Sequence, residues 1–133
     1  MMTVRKSVTI AKSASDVWDA VSDAGQLHTR VVPGMVTNTT LEDDGEVRIV
    51  TFGNGMVLTE YMISNDADAM RLAWSAESDQ WAHHNASLQI FAVGEDQCEA
   101  VWMADVLPHA AGILMEQSLT AGLGAMKAHM DNG

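Results

Sequence analysis

Basic residues are scarce in this chain, with 7 Lys and Arg against 18 Asp and Glu and a formal net charge of −11. Such a surface repels nucleic acid and anionic lipid, so neither is an expected partner. Cysteine is nearly absent. The single Cys98 excludes an internal disulfide and fits a reducing cytoplasm. No apolar run reaches 18 residues, which excludes a spanning helix and membrane insertion by that route. The N-terminal MMTVRKSVTI has basic residues but no apolar h-region, so secretion is not expected and the cytoplasm is the expected location. Histidines in HxxxH or HExxH spacing are lacking and Cys98 stands alone, so no metal is expected. Gly53-Asn54-Gly55 has no Lys and no phosphate-loop pattern, and no cofactor is expected either.

What the chain does have is enough apolar sequence for a core of its own. Its 133 residues, 47% of them hydrophobic, predict one domain over 1–133 without repeats, linkers or low-complexity segments. The pattern predicts a strand at 4–10 and then a helix through about Asp23, capped by Ser13 or Ser15, with Val17, Trp18 and Val21 buried. A short turn at 26–31 ends at the breaker Pro33-Gly34. Strands follow at 35–41, 46–52, 56–64, 69–76, 83–93 and 98–107, separated by turn residues such as Asp43-Asp44-Gly45 and Gly94-Glu95-Asp96. After Pro108 a long helix runs to about Met130, with Leu119, Leu123, Met126 and Met130 at helical spacing and with Gly122 and Gly124 at points suited to close packing. A meander of strands cannot bury its apolar face alone, so the last helix is expected to lie across it, with the first strand completing the sheet and a cavity between the layers.

The hairpin at 45–61, GEVRIVTFGNGMVLTEY, carries the main candidate site. With Gly53, Asn54 and Gly55 as a three-residue loop, Phe52 pairs with Met56, Val50 with Leu58 and Arg48 with Glu60, all on one face. A two-residue Asn54-Gly55 turn would shift the register and separate the charged pair. Arg offers a planar fork of donors and Glu an acceptor, so the pair can orient a ligand carbonyl or carboxylate; the competing reading is an ordinary cross-strand ion pair. Trp74 and Trp102 can stack on an aromatic ligand or simply pack the core. The ten methionines suit an adaptable cavity wall as well as core filling. Of the adjacent His83 and His84, strand alternation allows only one to reach a cavity, and His83 is the candidate acid or base.

The segments Ser7-Val8-Thr9-Ile10-Ala11, Ala14 to Asp23 (ASDVWDAVSD), Gly45-Glu46-Val47-Arg48, Leu58-Thr59-Glu60, Arg71-Leu72-Ala73-Trp74, His84 to Leu88 (HNASL) and Val101-Trp102 give the chain a resemblance to a known superfamily. It resembles the helix-grip (SRPBCC) superfamily of START, pollen-allergen and polyketide cyclase/dehydrase proteins. The resemblance implies an α+β fold: a curved antiparallel sheet wrapped around a long C-terminal helix, with two short helices after the first strand. It says little about activity, because that superfamily includes cyclases, hydrolases, lipid carriers and receptors.

In related plant hormone receptors a Glu matching Glu60 points into the pocket. By the same matching Leu72 and Trp74, then Asn85 and Ser87, then Ala100, Trp102 and Ala104 look inward. Alternation alone reads the sixth strand the other way, since Leu88 and Ile90 are more apolar than Asn85, Ser87 and Gln89. The expected ligand-binding set is therefore Arg48, Phe52, Leu58, Glu60, Trp74, Asn85, Ser87 and Trp102, and the expected ligand a small, largely apolar polyketide-, aromatic- or lipid-like molecule. The alternative is a cofactor-independent cyclase or dehydratase in which Glu60 or His83 moves a proton and Arg48 stabilises an enolate. A face bearing Leu88, Ile90, Val101 and Met103, if it looks outward, is a candidate homodimer surface.

Overall fold

The computed structural model describes residues 2–132. Strand β1 (Met2–Ile10) leads into helix α1 (Ala14–Ser22), a 3-10 turn (Ala24–Gln26) and a π-turn (Leu27–Val31). Six strands follow: β2 (Val36–Glu42), β3 (Val47–Phe52), β4 (Val57–Asp66), β5 (Arg71–Glu77), β6 (His83–Gly94) and β7 (Gln97–Leu107). Helix α2 (Ala111–Asp131) closes the fold. All seven strands form one antiparallel sheet in the order β1-β7-β6-β5-β4-β3-β2, so the first strand pairs with the last and the rest is a meander. This is the helix-grip architecture.

Local chemistry explains where the elements begin and turn. Ser13 caps α1, its Oγ accepting from Asp16 N at 3.1 Å. Val17, Trp18 and Val21 are buried on one side of α1. Register shifts between Val36 and Asn38, Met62 and Ser64, and Ala92 and Gly94 mark bulges, which bend strands and let the sheet curve around the helix. On α2 the buried stripe runs Met115, Leu119, Gly122, Leu123, Met126 and Met130. Its C-terminal end is fastened to β1: Lys127 Nζ donates to Thr9 O at 2.6 Å and Ala11 N donates to Asp131 Oδ1 at 2.8 Å. The Lys127 ammonium, 2.8 Å from Asp131 Oδ2, and then the Ala11 N–H hold the Asp131 carboxyl below the usual carboxylate range.

The β3-β4 hairpin has the three-residue register. Arg48 stands opposite Glu60, Val50 opposite Leu58, and Phe52 N donates to Met56 O at 2.8 Å across the loop. Asn54 supports the turn by accepting from Met56 N at 3.0 Å, and Gly55 adopts a φ of 90° that favours glycine.

Strand β6 corrects the inward face implied by the resemblance. Ala86 pairs with Ala104 and Leu88 with Trp102, so the even-numbered residues of both strands share the concave face. Leu88 and Ile90 are therefore core residues, while Asn85 and Ser87 lie on the convex side, opposite Asp105 and Met103. The physical reason is burial of the larger apolar set, which outweighs the polar one. The same parity removes the face proposed for a homodimer: Leu88 and Ile90 point in, and Val101 and Met103 point out.

Candidate functional site

Between the concave face of the sheet, α2 and the π-turn lies a cavity of about 570 Å³. That volume falls in the roughly 300–1,000 Å³ range of small-molecule sites. Leu58, Leu72, Trp74, Leu88 and Trp102 supply an apolar floor from the sheet. Met115, Leu119 and Ala121 of α2 form the opposite wall, with Leu27 and Val31 of the π-turn and the following Val32 at the side. The loops Gly34-Met35 and Gly53-Asn54 make a lip, tied together by Gly53 N donating to Met35 O at 2.9 Å. Gly53 is needed here because a Cβ would lie 2.8 Å from Gly34 O.

The charged pair sits inside this cavity. Arg48 is 2% exposed and Glu60 6%. Arg48 Nε donates to Glu60 Oε1 at 2.8 Å, and Arg48 Nη2 approaches the same oxygen at 2.7 Å. Both contacts end on Oε1, so Oε2 is not engaged by Arg48. Arg48 Nη1 has only a long bond to Ala24 O, 3.5 Å, to hold it. A donor edge and an acceptor oxygen are thus presented side by side on two buried side chains, where such groups act more strongly on a polar atom than they would in water.

Aromatic packing fixes the guanidinium. Arg48 Cζ stands 5.2 Å from the centroid of Trp74, a cation–π contact. Trp74 meets Trp102 edge-on, with centroids 5.9 Å apart and planes at 74°. Trp102 in turn lies against α2 at Gly122, where a Cβ would come within 2.7 Å of Trp102 Cζ3. The line Gly122, Trp102, Trp74, Arg48 connects the helix to the charged pair.

Of the residues expected from the sequence, Arg48, Phe52, Leu58, Glu60, Trp74 and Trp102 line the cavity together. Asn85 and Ser87 do not, for the reason of strand parity given above. His83 is exposed and faces away; the cavity histidine is His84, 7% exposed. Its ring stacks on Trp81, with centroids 5.1 Å apart and planes 27° apart, and its Nδ1 is buried with no hydrogen-bond partner among the described residues. Burial, with the neighbouring His83 charge, lowers its pKa to about 4, so the imidazole is neutral at pH 7. The signal that would have found His84 is its even spacing from Leu88 and Ile90. Among the described residues no group of three or more His, Cys, Asp or Glu side chains gathers as a metal site. No helix among them is long and apolar enough to cross a membrane.

A curved sheet gripping a helix around a lined cavity defines the class, a helix-grip fold with an internal cavity. The chain belongs to the polyketide cyclase / dehydrase and lipid transport family, which it matches over residues 1–131. A search of curated proteins finds no match. Among solved structures, a protein from Thermobifida fusca is similar at 28% identity, with 96% of this chain and 91% of that one covered and a TM-score of 0.79. A START superfamily protein from Mycobacterium smegmatis shares 16% identity over 98% and 97% of the two chains, with a TM-score of 0.78. The Zhui aromatase/cyclase from Streptomyces sp. R1128 shares 16% identity over 98% and 93%, with a TM-score of 0.81. The last two likenesses are likenesses of fold.

Proposed function

We propose that this protein binds a small, largely apolar molecule of polyketide, aromatic or lipid-like character in the cavity between sheet and α2. The observation that carries this reading is the pairing of a mostly apolar enclosure with one buried, ligand-facing ion pair. Apolar walls supply affinity, and Arg48 with Glu60 selects a ligand bearing an oxygen that accepts from Arg48. Family membership supports the same class of ligand.

The test is titration with the neutral fluorophore N-phenyl-1-naphthylamine. Saturable binding at one site is expected, and Ala121→Trp, which places a large side chain at the cavity wall, should abolish it while leaving the far-UV spectrum unchanged. Binding that is indifferent to Ala121→Trp would place the probe elsewhere and sink the reading.

A second reading, a cofactor-independent cyclase or dehydratase, is favoured by one specific feature: Glu60 has an oxygen not engaged by Arg48, beside the guanidinium that would stabilise an enolate. Glu60 would then remove a proton alpha to a ligand carbonyl and return it to the departing hydroxyl. A pH–rate profile unchanged by Glu60→Gln would refute this role.

A further inference from the structure

The two members of the buried pair are not equally closed off: the Arg48 side chain is 2% exposed and that of Glu60 8%. Both Arg48 contacts end on Glu60 Oε1, and no hydrogen bond from the described residues reaches Oε2. Oε2 is not sealed in either, because His84 Nδ1 is the one side-chain nitrogen or oxygen among the described residues that is fully buried without a partner. An unpaired oxygen that is not sealed keeps accessible surface. Glu60 stands opposite Arg48 on the concave face and belongs to the cavity lining, so Oε2 is a reachable acceptor inside the cavity.

Depth and charge narrow what can use it. Arg48, Val50 and Phe52 share one face of β3, and Phe52 borders the Gly53 lip, so the pair lies about 13 Å along the strand from that lip. Among the described lining residues Arg48 and Glu60 are the only charged ones at pH 7, since His84 is neutral, and their charges cancel. A ligand carboxylate brought to Oε2 would face a like charge, and the guanidinium that could offset it is already held by Oε1. A ligand ammonium would face that same guanidinium. Either ion also loses its water without gaining a free partner, which is the costly case for a buried charge. The surrounding surface, at −11, opposes anions further. A neutral hydroxyl escapes all of these costs and has the proton that Oε2 lacks.

We propose that the cavity selects uncharged ligands bearing a phenolic or alcoholic hydroxyl, which enters first and donates to Glu60 Oε2, and that it discriminates against carboxylates and other anions. The ligand class that follows is an apolar alcohol or phenol long enough to reach from the lip to the pair; fatty acids and phosphate-bearing lipids fall outside it. The proposal rests on the cavity-binding reading above and adds to it the charge and the leading group of the ligand.

The experiment measures the binding of naphthalene, 2-methoxynaphthalene, 2-naphthol and 2-naphthoate at pH 7 to wild-type protein and to Glu60→Gln. Wild-type protein should prefer 2-naphthol to 2-methoxynaphthalene by about tenfold, the size of a hydrogen bond to a charged acceptor, and should bind 2-naphthoate more weakly than naphthalene. In Glu60→Gln the amide oxygen faces Arg48, which leaves an N–H donor where Oε2 was. The preference for 2-naphthol should then disappear, and 2-naphthoate should gain about tenfold, because its like charge is gone and Arg48 is left without an anion. A gain of that kind cannot come from poor folding. In wild-type protein the 13C resonance of the Glu60 carboxyl should shift further with 2-naphthol than with 2-methoxynaphthalene, whose ring effect serves as the reference, and this readout needs no variant. Wild-type protein that takes 2-naphthoate as tightly as 2-naphthol would overturn the proposal, as would a preference for 2-naphthol that survives Glu60→Gln, or equal carboxyl shifts with the two neutral probes. Failure of all four probes, naphthalene included, would instead strike the cavity reading, and the proposal with it.

Discussion

At the scale of single residues, the buried Arg48–Glu60 pair adds little to stability by itself. Two charges withdrawn from water recover little more than their desolvation, whereas removing one partner strands the other at about 3–5 kcal/mol. Arg48→Met and Glu60→Leu should each lower the urea midpoint by an amount of that order. The double variant should be more stable than either single one, because no charge is left alone. His84 yields a second expectation, in pH. Its folded pKa, about 4, lies below the ordinary value of 6.5, chiefly through burial and secondarily through the His83 charge. The unfolded chain therefore binds more protons between those two values, so stability is full above pH 6.5 and is lost as pH falls toward 4. The loss is on the order of 3 kcal/mol, and His84→Phe should flatten that part of a pH series of urea melts. Carboxylates titrating lower down would be left unchanged by the variant.

At the scale of elements, α2 and β6 show what a sequence pattern can and cannot carry. The helix, the strands and the Arg48–Glu60 register were all legible, because periodicity and turn chemistry act locally. Strand β6 was harder to read. Local alternation alone puts Leu88 and Ile90 inward, and it is the matching to related proteins that points Asn85 and Ser87 there; Ser87 is nonetheless buried on the convex side, between Ala73 and Met103. His84 lies on the same face as Leu88 and Ile90, so the same alternation marks it, rather than His83, as the inward histidine. The two glycines of α2 looked alike in sequence but differ in the structure: a Cβ at Gly122 would run into Trp102, while at Gly124 it meets nothing within 4 Å. Gly124→Ala should stabilise by about 0.5–1 kcal/mol through helix propensity. Gly122→Ala should destabilise by about 1–3 kcal/mol and change the near-UV spectrum, since it pushes Trp102 against Trp74 and Arg48. Thermal melts of the two variants, read beside their near-UV spectra, check both signs.

At the scale of the whole molecule, two electrostatic regimes coexist. Apart from the buried Arg48–Glu60 pair, 17 acidic side chains face 6 basic ones, and a surface so unbalanced repels itself and weakens the compact state. Several of the bridges that offset this are exposed, such as Lys6–Glu116 at 3.0 Å and the two that Arg30 makes with Asp19 and Asp23, at 2.6 and 3.1 Å. Each is worth little and is itself screened by salt. Inside, Arg48 and Glu60 are removed from the ions that do the screening. Raising ionic strength from about 0.01 to 0.15 M shortens the screening length from about 30 to 8 Å, which relieves the general repulsion more than it weakens the few surface pairs. The melting temperature should therefore rise with salt over that range. The affinity for neutral 2-naphthol should stay constant over it, because its contacts lie within the cavity. A melting temperature that falls would mean that the surface bridges outweigh the net charge. An affinity that changes with salt, while stability rises, would place the bound molecule at the surface rather than within the cavity.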